Sequence, residues 1–277
     1  MSSPGTEEIR SRLYTLAAQS SVDLGEGALL IAAEDEPGLD IDPYLRFLDE
    51  LARKVKAAVA GDGSSARWRY AVADEIFTRQ GFHGDEQEYY DPRNSYLNQV
   101  IDRRCGIPVT LSIVYLAVGA RLGLPVAGVN APGHFLVRHG EQVLDPFHRG
   151  RPVTDDALRE QLEQMRAPDP QAEVQRLLSS PPSARAILCR VLGNLKANYL
   201  RRGSWTQALA AVDRLIGLNP GNAAELRDRG VIYQRLECPR AAAADFERYL
   251  ELVPGDPEAD IIRNAIVQLT ASAARLH

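Results

Sequence analysis

Apolar residues recur at helical spacing through the first sixty positions. Leu24–Glu34 and Ile41–Ala60 predict two helices, the second carried by Tyr44, Leu45, Leu48, Leu51 and Val55, with Pro37-Gly38 breaking the chain between them. A third helix is expected over Trp68–Arg79, with Ala73, Ile76 and Phe77 facing inward. Gly81–Arg93 is polar and turn-rich, which predicts an exposed loop. A helix Ser95–Arg103 follows, with Asn94 or Ser95 as its N-cap. Pro108 in a first turn and Gly123 just past an end bracket an apolar helix running to about Leu122. The period then changes. Residues 126–130, 134–140 and 142–147 are short β-branched or alternating runs punctuated by Gly and Pro, and they predict a small antiparallel sheet. An apolar helix feeding such a sheet is an α+β core.

Four prolines at 168, 170, 181 and 182 mark residues 166–184 as a linker region. Everything beyond it reads as helix, and it repeats. Pro220 and Pro254 lie 34 residues apart, and at that offset Leu192 matches Leu226, Tyr199 matches Tyr233, Ala208 matches Ala242, and Leu218 matches Leu252. This is the tetratricopeptide period: a small Ala lets two antiparallel helices approach, and Pro ends the second helix of each unit. A last helix is expected over Pro257–Ser272. The expected organisation is therefore residues 1–165 as an α+β domain, 166–184 as linker and 185–277 as an all-α repeat domain. Two units and a final helix fall short of the three repeats that bury a continuous core, so the module should lean on the first domain or on a protein or peptide partner.

Composition narrows the partners. A net charge of −5 with no isolated basic cluster argues against nucleic acid and anionic membranes, which need a concentrated positive face. No apolar run reaches 18 residues and no secretory segment opens the chain, so a cytoplasmic location is expected. Cys105, Cys189 and Cys238 are odd in number and widely spaced, which predicts free thiols rather than disulfides or a zinc ribbon. No phosphate-binding glycine motif occurs, and His83, His139 and His148 show no metal-ligand spacing with acids or cysteines, so no cofactor is expected.

The candidate chemistry lies on the hairpin. If a two-residue II′ turn sits at Gly140-Glu141, Arg138 faces Val143 and Leu136 faces Asp145, which brings His134 to the same face as Asp145. A carboxylate there would fix the imidazole tautomer and support a general base. The competing reading is that His134 ends a loop and Asp145 starts an Asp-Pro turn. Cys105, before the Pro108 helix, is the candidate nucleophile, or else a small residue ending the preceding helix. His83, His139 and His148 read as loop or turn residues, Asp85, Glu86 and Glu88 as solvated acids, and Cys189 and Cys238 as packing residues on repeat helices.

Several blocks carry a resemblance: Asn94-Ser95-Tyr96-Leu97-Asn98, Arg103 through Ser112 (RRCGIPVTLS), Arg121 through Pro125 (RLGLP), Pro132-Gly133-His134-Phe135-Leu136, Leu144-Asp145-Pro146-Phe147, and Arg227-Asp228-Arg229-Gly230. On these the chain resembles the SirB-type bacterial proteins, which join a transglutaminase-like core to C-terminal tetratricopeptide repeats. The resemblance implies a papain-like core, with a helix carrying the nucleophile position and a sheet carrying His and Asp; His134 and Asp145 match those positions. In active transglutaminase-like enzymes the nucleophile begins the helix, about fifteen residues before the Gly that matches Gly123. That count reaches Pro108, and Cys105 lies three residues upstream, about one helical turn or ~5 Å away. Two functions follow as expectations: a degenerate domain acting in protein–protein interaction or regulation, or an active thiol peptidase, amidase or acyl transferase using Cys105, His134 and Asp145.

Overall fold

The computed structural model describes residues 5–19, 21–59 and 63–275, so the expected helix end at Ala60 and the first four residues lie outside the described ones. The chain divides into two compact units at Val191/Leu192.

The first unit opens with helices α1 (Thr6–Ala17), α2 (Leu24–Asp35), α3 (Asp42–Ala58) and α4 (Ser65–Ala73), the last continuing as a π-helical turn, Asp74–Arg79. Local chemistry sets the starts. Asp23 accepts from the Glu26 N–H at 3.1 Å, Pro43 occupies the first turn of α3, and Ser64 accepts from the Arg67 N–H. α3 buries Leu48, Leu51, Ala52 and Val55, one stripe at i, i+3, i+4 and i+7. The helical expectation for this stretch agrees with the structure.

The segment between Gly81 and Arg103 departs from expectation. It is an exposed loop only in part: Glu86, Gln87, Glu88 and Tyr90 are exposed, but β1 (His83–Gly84) pairs in parallel with β2 (Cys105–Gly106), and Asp85 and Asp91 are buried. Residues Pro92–Ser95 form a 3₁₀ turn, and α5 (Leu97–Arg103) has Tyr96, not Asn94 or Ser95, at its N-cap. Asn94 is drawn inside instead, because its amide donates to Asp85 Oδ2 (3.0 Å) and to the Glu88 carbonyl (2.8 Å). Arg103 donates to the same Asp85 oxygen at 3.2 Å. The Glu88 N–H donates to the other Asp85 oxygen at 2.8 Å, and a carboxylate with three donors can leave water, as this one does.

Helix α6 (Pro108–Arg121) is the centre of this unit. Every residue from Pro108 to Gly119 is buried, and it packs against α2, α3 and the sheet. Leu111, Ile113, Val114, Tyr115 and Val118 have no exposed surface, and each such side chain is worth about 1.5–3 kcal/mol of burial. Its start is held by Thr110, whose hydroxyl accepts from the Ile107 N–H (3.2 Å) and donates to the Asn94 carbonyl (2.8 Å). The sheet runs β3 (Val126–Val129), β4 (Leu136–His139), β5 (Gln142–Asp145), β6 (Arg151–Val153), antiparallel throughout. Arg138 faces Val143 across a turn at Gly140-Glu141, the expected register. Gly140 has φ +60° and Glu141 has no positive φ, the signature of a II′ turn.

Two helices not read from the pattern cover this sheet. α7 (Asp155–Gln164) is capped by Thr154, and α8 (Pro170–Ser179) is capped by Asp169 with Pro170 in its first turn. Leu158, Leu162, Val174 and Leu177 from these helices pack on Val129, Leu136 and Val143. Much of the proline-rich 166–184 stretch is thus a helix whose first turn uses a proline rather than being broken by it.

The unit boundary falls within α9 (Ala184–Arg201). The second unit continues with α10 (Trp205–Leu218), α11 (Ala223–Arg235), α12 (Pro239–Leu252) and α13 (Ala259–Arg275). Ala208 and Ala242, the small residues of the 34-residue period, are completely buried. Arg229 ties three helices, donating to Asp213 (2.8 Å) and to both oxygens of Asp245 (2.7 Å each). Cys238 is exposed at the N-cap of α12 rather than packed, because Pro239 takes the first helical position. Among the described residues no helix is long and apolar enough to cross a membrane.

Candidate functional site

Hairpin β4–β5 and its flanks bring the predicted His and Asp together. Asp145 closes β5 and is 8% exposed; His134 precedes β4. His134 Nε2 lies 2.9 Å from Asp145 Oδ1, at an angle too bent for an aligned N–H bond, so the contact is chiefly electrostatic. The loop that delivers His134 is pinned from the first turns of α9: Arg190 donates to Asn130 Oδ1 (2.6 Å) and to the His134 carbonyl (3.3 Å).

A third residue joins them that the sequence reading placed in a loop. His148 Nδ1 is 2.7 Å from Asp145 Oδ2, and the Phe147 and His148 N–H groups both donate to Oδ1. The two imidazoles are 6.1 Å apart with the Phe147 ring edge-on to both. One donor atom from each of His134, Asp145 and His148 falls within 4.8 Å of the others. His148, read from the sequence as a loop histidine without metal-ligand spacing, is 3 residues from Asp145 and His134 is 11 residues from it, and the hairpin folds all three into one cluster. Burial works to raise the Asp145 pKa, but its close contacts with and attraction to both imidazoles win and hold it below the ordinary carboxylate value.

Cys105 is the third of the predicted site residues. It sits on β2 in a cleft lined by His83, Asp85, Arg103, Phe147 and His148. Burial pushes its thiol pKa up, Asp85 adds to this by charge and by a hydrogen bond, and Arg103 opposes them without prevailing. Asp85 itself is held low: burial would raise it, but the Glu88 N–H, Asn94 and Arg103 outweigh that cost. His139, expected in the turn, is wholly buried at the end of β4 against the Tyr115 hydroxyl (2.8 Å). Burial, helped by Arg69, lowers its pKa to about 4.

Sequence reasoning missed Asp85 and His148. Position alone could have flagged the second, three residues after Asp145; nothing local marks the first as buried.

Comparison with known proteins agrees with this architecture. The transglutaminase-like superfamily matches residues 42–193, and a tetratricopeptide repeat family matches 195–267. A UPF0162 protein of Xylella fastidiosa (strain Temecula1) is 38% identical over 257 residues, covering 90% of this chain and 91% of its own. UPF0162 proteins of Pseudomonas aeruginosa (37%, covering 87% and 88%) and Vibrio cholerae (31%, covering 90% and 93%) are similar over nearly their whole lengths. With a transglutaminase-like unit, a repeat unit and these full-length relatives, the chain belongs to the UPF0162 family, the SirB-type proteins.

Proposed function

We propose that the transglutaminase-like unit is a degenerate enzyme fold that acts by binding, and that the repeat unit offers helical surface to a protein or peptide partner. The observation that carries the first half is the environment of Cys105. A catalytic thiol needs neighbours that favour the thiolate. Here burial and a carboxylate work the other way, and Arg103, the cation that favours the thiolate, is engaged by Asp85 and Asn94. The start of α6, where the family's nucleophile belongs, carries Pro108 behind a Thr110 cap. For the second half, tetratricopeptide repeats are a fold whose common use is protein contact, and their stacked helices form extended binding surfaces.

The His134–Asp145 contact favours a second reading, an active thiol peptidase, amidase or acyl transferase using Cys105, His134 and Asp145. One assay separates the two. The full chain and Cys105→Ala are compared on fluorogenic amides and on a glutamine peptide with an amine acceptor. The binding reading expects the same background from both; turnover lost in Cys105→Ala would establish the enzyme. For the partner, a captured protein must re-form a complex with the full chain from purified components, and failure to re-form any complex sinks that half.

A further inference from the structure

Asp145 receives two imidazoles, one on each oxygen, and a catalytic pair has use for only one. The second demands a reason of its own. His134 Nε2 is also buried without an aligned hydrogen-bond partner, although an acceptor lies 2.9 Å away.

We propose that His134, Asp145 and His148 form a binding site for a borderline divalent transition-metal ion of the zinc class. Two neutral imidazoles and one carboxylate are an N₂O donor set, which suits zinc, cobalt or ferrous ions and is poor for magnesium or calcium, whose preferred ligands are all oxygen. The spacing fits. Bonds of about 2.0–2.1 Å to ligands in tetrahedral array put donor atoms roughly 3.3 Å apart. His134 Nε2 lies 2.9 Å from one oxygen of Asp145 and His148 Nδ1 lies 2.7 Å from the other, and with one donor atom from each residue the three fall within 4.8 Å of one another, so side-chain rotations that close the widest gap by up to about 1.5 Å bring them to that spacing. The frame around them is already built. The Phe147 ring holds both imidazoles edge-on, Arg190 holds the His134 carbonyl, and the Phe147 and His148 N–H groups support Asp145 Oδ1. Outer contacts of this kind orient ligands in metal sites. His148 is half exposed and lines the same cleft as Cys105, so the side left for a water or a ligand opens toward that cleft. The site does not depend on Cys105, so it stands whether the thiol is active or not.

The test uses the full chain, stripped with a chelator and titrated with Co²⁺ and Zn²⁺ by calorimetry and visible absorption. One equivalent should bind, with a cobalt spectrum of nitrogen and oxygen ligation and no thiolate charge-transfer band. His148→Gln, a change at a half-exposed residue, should weaken binding by about 100-fold or more, at least the loss known for removing an outer-shell partner. Asp145→Asn should do the same, and Cys238→Ser should leave the affinity unchanged. Circular dichroism of each variant shows whether it is folded, and His148→Gln decides if Asp145→Asn is not. Binding that survives His148→Gln, a thiolate band, loss of binding in Cys238→Ser, or no stoichiometric binding would each overturn the proposal.

Discussion

Replacing Asp85 by Asn probes the polar knot that fixes β1, β2 and Cys105. Asp85 Oδ1 accepts from the Glu88 N–H at 2.8 Å, while Oδ2 accepts from Asn94 at 3.0 Å and Arg103 at 3.2 Å. An amide has one accepting oxygen, so if it serves Asn94 and Arg103 its NH₂ must face the Glu88 N–H. Bonds to a charged acceptor contribute about 1.5–3 kcal/mol each. Arg103 is a quarter exposed and the Glu88 N–H can reach water, so the sum is discounted to about 2–3 kcal/mol. The same change removes the carboxylate that helps to raise the Cys105 thiol pKa. The chain has two tryptophans, Trp68 in the first unit and Trp205 in the second, so a Trp205→Phe background lets urea unfolding report the first unit alone. Asp85→Asn should lower the denaturation midpoint and raise the Cys105 alkylation rate several-fold at pH 8. An unchanged midpoint together with an unchanged rate would refute the role assigned to Asp85.

Three further outcomes follow from named contacts. His139 has a folded pKa of about 4 against about 6.5 unfolded, so the unfolded chain binds the extra proton between these values; stability is full above pH 6.5 and falls as pH drops to 4. The loss is about 3 kcal/mol at most, and His139→Gln should flatten that part of the stability–pH curve measured by urea titration. Gly84→Ala would put a Cβ 2.5 Å from the Phe147 ring; the ring must shift, and thermal unfolding should move down by several degrees, against no change if the approach is loose. Arg229→Ala leaves Asp245, 6% exposed, without its partner in the second unit and should cost about 2–4 kcal/mol by Trp205 fluorescence, with Arg229→Lys recovering only part.

What could be read from the chain was what local rules decide. The stripe of Leu48, Leu51 and Val55 gave α3, Gly140 gave the hairpin register and so the approach of His134 to Asp145, and the 34-residue offset gave the repeat. What escaped depends on partners remote in sequence. Asp85 sits in a run of polar residues and looks solvated; it is buried because Asn94 and Arg103, 9 and 18 residues on, supply its donors. His139 looks like a turn residue beside Gly140, yet alternation points it inward to Tyr115, 24 residues earlier. α8 was hidden because prolines mark both breaks and first turns, and only the Asp169 cap tells which.

The central claim, that this transglutaminase-like unit does not work as a thiol enzyme, is tested most directly by alkylating the full chain with iodoacetamide across pH and following the Cys105 peptide by mass spectrometry. The surroundings of Cys105 predict an apparent pKa above the ordinary thiol value of about 8.5, with little reaction at pH 7. Fast alkylation that is already at its plateau below pH 7 would contradict it.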